Sequence, residues 1–332
     1  MAKLYSLLGI CLCALLLACG QAPEAPPAAP AEPPATAPSS TSHLRLGIDQ
    51  WPGYYPAVLA DELGYFANAG LTVELQLPGD TDRMLAEFAA GEYDMIGVAL
   101  GDLITLSRQR EDVVVLLVSD QSAGGDALLA APGFEIPSSG PVRIGTNLGG
   151  FGELFIRELL PQMAIDPARV EWINIDASSV PQALLSKQID LGHCWEPYAS
   201  QAEALGATRR FSSADTPGLI PDVIAATRHA ADANPAAYRA FTDGWFRAVD
   251  WWRSHPEQAA QLIEQRLALP AGGAGLTGIE LQDLAANQRL LGASGAAELE
   301  PVIDRYSEFF VARGRLIDPI QAKEMLIPEL LP

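Results

Sequence analysis

Residues 44–66, LRLGIDQWPGYYPAVLADELGYF, decide the fold of this chain. Leu44, Leu46 and Ile48 alternate with polar or small residues, the period of a short strand. The strand stops at Asp49, and a turn follows that carries Trp51, Pro52, Gly53, Tyr54 and Tyr55. Pro56 suits a first helical turn, and Val58, Leu59, Leu63 and Phe66 recur behind it at helical spacing. Three aromatic residues therefore lie between the end of a strand and the start of a helix. Open α/β sheets bind ligands at such places.

The same alternation runs on through the chain. Strands are expected at 44–48, 72–77, 94–98, 113–118, 126–131, 142–145, 170–175, 190–194 and 223–227. Helices are expected at 56–68, 81–90, 101–109, 151–163, 179–186 and 197–205. After residue 232 the pattern is helical to the end, with breaks near Pro256, the glycines of 272–278 and Gly292. Strand and helix in alternation predict an α/β fold on mostly parallel sheets flanked by helices.

The chain also echoes itself. LRLGIDQ at 44–50 matches VRIGTNL at 142–148, with Gly47 opposite Gly145, and Asp94 falls opposite Asp190. Two copies predict two similar lobes. The helices after 232 have no strands of their own in this reading, so they must cover the first lobe. Lobe 1 is then discontinuous, 44–131 and 222–332, and lobe 2, 132–221, is inserted into it. Two crossings are the anatomy of a hinge, and hinged lobes close around ligands.

Residues 1–19 read as an export signal. Lys3 gives a positive start, and residues 7–17 are apolar but too few to span a bilayer. Leu16-Leu17-Ala18-Cys19 resembles the lipobox of bacterial lipoproteins, which implies cleavage before Cys19 and lipidation of its thiol. Residues 20–43, rich in Pro and Ala, predict a disordered tether, roughly 70 Å long at about 3.1 Å per residue. Cys11 and Cys13 leave with the signal, so Cys194 is the one cysteine left free, and no intramolecular disulfide is expected. The formal charge of −20, from 41 acids against 21 bases, argues against a nucleic-acid partner and against adhesion to anionic lipid.

Ligands in such sheets sit outside the carboxyl ends of the strands. This selects Asp49, Trp51, Tyr54 and Tyr55 on the first loop, Leu100 and Asp102 after the third strand, and Asp120 after the fourth. In the second lobe it selects Thr146, Gly149, Gly150 and Phe151, with Trp195 and Glu196. The loop TNLGGFG at 146–152 enters a helix, and its backbone N–H groups can hold a carboxylate, sulfonate or phosphate. It is neither a P-loop nor GxGxxG, so a nucleotide is not expected. Trp195 with Glu196 could hold a cation, or Trp195 could stack on a flat ligand. Asp49, Asp102, Asp120, Asp126 and Glu196 make the mouth acidic, with Arg83 as the base near them. That favours a cationic or neutral ligand, although aspartates at helix starts also serve as caps.

No catalytic constellation stands out: GxSxG, HExxH and CxxC are absent from the sequence. His193 and Cys194 are neighbours on a strand and point to opposite faces. No enzyme activity, cofactor or metal site is expected. Trp245, Trp251 and Trp252 lie on one helix with Phe241 and Phe246 and read as core.

Six stretches then share a resemblance: WPGYYPAVLADELGYF, AAGEYDMIGVA, DQSAGGDALLA, GTNLGGFGELFIRELL, IDLGHCWEPY and SSADTPGLIPDVIAAT. Together they resemble the solute-binding proteins of ABC importers, more narrowly the nitrate/sulfonate/taurine type, over about residues 44–270. The resemblance implies a two-lobed periplasmic-binding-protein fold of the second topological type. It implies capture of a small molecule between the lobes and delivery to a membrane permease and its ATPase. With the lipobox, it implies a lipid-anchored monomer on the extracytoplasmic face. Tyr54, Tyr55, Gly149, Trp195 and Glu196 fall where the family's cleft residues lie. The ligand stays open: sulfonate, a nitrate-like anion, a heterocycle or an amine. An enzyme of pyrimidine-precursor or menaquinone type, and a tethered sensor, are the alternative readings.

Overall fold

The computed structural model describes residues 41–332. The signal, the lipobox at Cys19 and nearly all of the expected tether lie outside the described residues. Ser42 and His43 already belong to the first strand, which therefore starts before residue 44, inside the stretch expected as tether.

The first stretch runs β1 (Ser42–Gly47), α1 (Pro56–Glu62), α2 (Tyr65–Asn68), β2 (Leu71–Gln76), α3 (Thr81–Ala89), β3 (Met95–Ala99), α4 (Leu100–Leu106) and β4 (Val113–Ser122). The second runs β5 (Asp126–Ala130), β6 (Val142–Thr146), α5 (Phe151–Leu159), β7 (Val170–Asn174), α6 (Val180–Leu185), β8 (Leu191–Trp195), α7 (Tyr198–Ala204) and β9 (Thr208–Ser212). The third runs β10 (Pro221–Thr227), α8 (Arg228–Ala233), α9 (Pro235–Ser254), α10 (Pro256–Leu267), β11 (Ile279–Leu281), α11 (Leu284–Leu290), α12 (Glu300–Ala312) and α13 (Ala322–Met325). Pro56 occupies the first turn of α1, and a left-handed Gly64 ends the turn between α1 and α2, splitting the helix expected at 56–68.

Two sheets result, ordered β11-β4-β10-β3-β1-β2 and β7-β6-β8-β5-β9. Each contains a parallel trio, β2-β1-β3 in one and β7-β6-β8 in the other. The two trios are the two copies of the sequence repeat, and one ion pair marks the equivalence. Arg45 Nε donates to Asp94 at 3.0 Å, and Arg143 Nε donates to Asp190 at 3.1 Å. In both copies the arginine's own amide donates to the same carboxylate. The expected α/β class with helices packed on both sheets is what the chain forms.

Three expectations need correction. β5 pairs with β8 and β9, so it belongs to the second sheet although its sequence was assigned to lobe 1. A five-residue apolar run carries no signal of which sheet it will join. β9 and β11 were not expected as strands. Thr208–Ser212 has no apolar alternation, and β11 is three residues on the edge of the first sheet. The region after 232 is therefore not wholly helical. α9 does bury its apolar face, with Phe241 and Trp245 inaccessible to solvent and Trp252 nearly so.

The chain passes between the sheets twice, after β4 and after β9. The crossings touch: Ser122 Oγ and Ser213 Oγ are 2.7 Å apart, and the Gly124 amide donates to Ser213 Oγ at 2.7 Å. A third segment braces them, because the Gly278 carbonyl accepts from the amides of Ala123 and Gly125 at 2.8 and 2.9 Å. The glycines read as a helix break thus press on the hinge.

Candidate functional site

A small cavity of about 20 Å³ lies where the carboxyl ends of β1, β3 and β8 meet the starts of β5 and β10. That is room for about one water molecule, well below a ligand pocket, so a bound solute requires the lobes to part. The first sheet and its helices supply Asp49, Trp51, Tyr54, Thr81, Met84, Gly97, Val98, Ala99, Asp102 and Asp222. The second supplies Asp126, Phe151 and Trp195. Four carboxyl groups and four large aromatic rings therefore line the one cavity, and no Lys or Arg lines it.

The rings are held by buried acids. Trp51 is 3% exposed, and its indole N–H lies 3.1 Å from Asp120 Oδ1, while Ser119 donates to the other oxygen at 2.8 Å. The Tyr54 hydroxyl donates to Asp222 Oδ1 at 2.5 Å. Asp120 and Asp222 face each other across the β4–β10 pairing, so both rings hang from one point of the first sheet. Gly53 makes this possible: a Cβ there would lie 1.8 Å from an Asp120 oxygen. On the opposite wall, Phe151 and Trp195 have ring centroids 5.8 Å apart, with His193 beneath Phe151 at 5.4 Å.

His193 is buried between two partners. Its Nε2 is 3.1 Å from Asp126 Oδ1, and its Nδ1 is 3.1 Å from Thr146 Oγ1. Thr146 does not face the cavity; a Cβ on Gly152 would lie 2.4 Å from its hydroxyl. The series Thr146–His193–Asp126 thus fixes one carboxylate at the cavity wall.

Burial without counter-charge raises the proton affinity of Asp49, Asp102, Asp120 and Asp222. Half-buried Asp49 is pushed up to about 6, first by lost solvation, although the Trp51 amide donates to it at 2.8 Å. Asp102 and Asp120 are each pushed up to about 7, again mainly by desolvation. Asp222 is raised well above the usual carboxylate range by burial and by the neighbouring Asp120. Carboxyl groups crowded in this way favour a ligand that brings positive charge.

The candidate residues divide into three sets. Asp49, Trp51, Tyr54, Asp102, Phe151 and Trp195 line the cavity. Asp120 and Thr146 stand one layer behind it, holding Trp51 and His193. The other five stand elsewhere. Tyr55 is buried in the core with its hydroxyl on the Gln50 carbonyl at 2.8 Å. Leu100 is wholly buried on α4. Gly149 and Gly150 line an adjoining outer cleft with Arg108 and Arg315, which shares Asp102 with the cavity. Glu196 is turned away to Arg209, 2.9 Å from its guanidinium. Arg83 points along α3 to Glu87.

Sequence reasoning missed Asp222 and Met84, and did not rank Thr81 or Asp126, which lie on strand-end loops, as site residues. Asp222 had a signal, an acid opening the otherwise apolar strand PDVIAAT. The glycine-rich loop was expected to offer free donors. Instead the Leu148 amide donates to Asn174 at 2.8 Å, and the Phe151 amide to Asp102 at 3.0 Å.

Comparison with known proteins agrees with this architecture. The family model described as NMT1/THI5 like matches residues 51–259. A Brucella abortus protein named only as a binding protein is 23% identical over 316 residues, covering 89% of this chain and 93% of the relative. The ligand-binding component of an ABC-type import system from Staphylococcus aureus superposes with a TM-score of 0.72 at 12% identity, covering 87% of this chain and 97% of that one. The periplasmic aliphatic sulphonate binding protein SsuA of Escherichia coli gives 0.67 at 15% identity, covering 86% and 92%. The chain belongs to the NMT1/THI5-like family and has the periplasmic-binding-protein fold.

Proposed function

We propose that the chain is the solute-binding component of an ABC importer and captures a small organic cation between its two lobes. The observation that carries the ligand class is the cavity lining. Asp49, Asp102, Asp126 and Asp222 converge with Trp51, Tyr54, Phe151 and Trp195, and no basic side chain lines it. A cation there gains from ring faces and from carboxylates in a poorly solvated site. The importer role is supported by the named import components that share the fold. The sulphonate ligand of one such protein is not carried over, because the acids here repel a free anion.

Delivery to a permease and its ATPase follows from this reading. So does anchoring through lipid at Cys19, with residues 20–43 as the tether that keeps the lobes within reach of the membrane. The reading is capture and release without chemical change to the solute.

Isothermal titration of the mature protein tests the ligand class, with tetramethylammonium and choline against methanesulfonate and nitrate. The cations bind and the anions do not. Binding of the anions alone overturns the cation reading. Recovery of a chemically altered cation overturns the capture-only reading.

A further inference from the structure

The first turn of α4 and the first turn of α5 come from different lobes and meet at one hydrogen bond. Asp102 Oδ1 accepts from the Phe151 amide at 3.0 Å. Asp102 is 5% exposed, so this carboxyl group is almost wholly inside the protein. The helix it faces is nine residues long, and its cap, Gly150, offers no side chain to the first-turn amides. The start of such a helix carries partial positive charge and unpaired N–H groups, the ordinary requirements for binding an anion. The backbone is shaped to admit the carboxylate: a Cβ on Gly150 would lie 2.2 Å from Asp102 Oδ1. Farther back in the loop, the Leu148 amide donates to Asn174.

We propose that Asp102 is a built-in anion that fills the α5 N-terminus across the lobe interface, and that it is the residue which selects against anionic ligands. This rests on the cavity being the ligand site. A ligand carboxylate or sulfonate would have to displace a carboxylate that is covalently part of the chain and held at high local concentration. The same carboxylate lines the cavity, so it also adds to the negative wall that a cation meets. Anion exclusion and cation attraction then come from one side chain.

Two substitutions separate the roles. Asp102→Ala empties the helix end, while Asp102→Asn keeps an oxygen that can accept from the Phe151 amide but removes the charge. Titration with acetate and methanesulfonate is done at about pH 5, where the raised Asp49, Asp102 and Asp222 all carry protons, so the contrast reads whether the helix end is occupied rather than how it is charged. Near-UV circular dichroism confirms that each variant is folded.

The wild type and Asp102→Asn bind neither anion, and Asp102→Ala binds acetate at least about tenfold more tightly than either. At neutral pH, both variants lose about tenfold or more in affinity for tetramethylammonium. Added acetate restores part of that affinity in Asp102→Ala and none in Asp102→Asn. A folded Asp102→Ala that takes no acetate overturns the inference, and so does Asp102→Asn taking acetate as well as Asp102→Ala does. If the wild type ignores tetramethylammonium, the cation reading fails, while the acetate contrast still decides the role of Asp102.

Discussion

The Trp51 indole N–H and the Asp120 carboxylate lie 3.1 Å apart with both side chains inaccessible or nearly so. They join the loop after β1 to the end of β4, and so convert a flexible aromatic turn into a fixed wall. Asp120 makes no contact with the cavity itself. Its part is to aim a ring, as Asp222 aims Tyr54 while also facing the cavity.

Trp195 and Tyr55 should respond in opposite ways to truncation. Trp195→Ala removes a cavity wall that is 8% exposed, and should lower affinity for an organic cation by about tenfold or more with the fold intact. Tyr55→Ala empties a core position and should cost roughly 3–5 kcal/mol of stability. Titration calorimetry and urea denaturation on both variants check this. Equal affinity loss in two equally stable variants would contradict the assignment.

Asp222→Asn should trade function for stability. The amide keeps an acceptor for the Tyr54 hydroxyl but removes an acid that burial and Asp120 both disfavour in its charged form. At about pH 8 the ligand-free variant should melt higher than the wild type and bind cations more weakly. A lower melting temperature with unchanged affinity would place the Asp222 charge outside the binding function.

The buried acids predict an inverted pH dependence for the empty protein. Asp49, Asp102 and Asp120 hold protons more tightly folded than unfolded, rising from 3.8 to about 6, 7 and 7. The stability this gives is fully present below the unfolded value and is lost as pH rises through about 6 to 7. The ligand-free melting temperature should therefore fall between about pH 5 and pH 8. Cation binding favours the ionised acids, so affinity should rise over the same range with release of protons. Calorimetry in buffers of different ionisation enthalpy reads that release; proton uptake on binding would contradict the account.

The hinge should loosen when its shared hydroxyl is removed. Ser213 Oγ accepts from the Gly124 amide and pairs with Ser122, so one atom ties both crossings. Ser213→Ala leaves buried partners unsatisfied, at a cost of about 1–3 kcal/mol. Hydrogen exchange at residues 122–126 should quicken while the cores of the two sheets keep their protection. Unchanged exchange there would show that the Gly278 brace alone holds the hinge.

The sequence made the repeat legible because each copy needs the same local parts. An arginine two residues before the strand glycine, Gly47 or Gly145, and an aspartate just ahead of β3 or β8 recur as Arg45–Asp94 and Arg143–Asp190, and they form the same contact. The loops at strand ends were legible for the same reason, and six of the candidate residues on them line the cavity. What was not legible depends on partners far away in sequence. Glu196 sits beside Trp195, yet it turns to Arg209 because that guanidinium lies next to it on β9, a strand with no apolar pattern to reveal it. Two of the donors expected at 146–152, the Leu148 and Phe151 amides, are taken by Asn174 and Asp102, which arrive from other elements. Asp222 could be recognised as a site acid only once β10 was known to return between β3 and β4.

The central claim is that the cavity between the lobes holds an organic cation. Native mass spectrometry of the mature protein, purified gently from cells grown in rich medium, tests it most directly. The account predicts a retained small molecule that carries a positive charge at neutral pH, is released unchanged on denaturation, and is lost in the Trp195→Ala variant. A retained sulfonate, nitrate or other anion in the wild-type protein would contradict it.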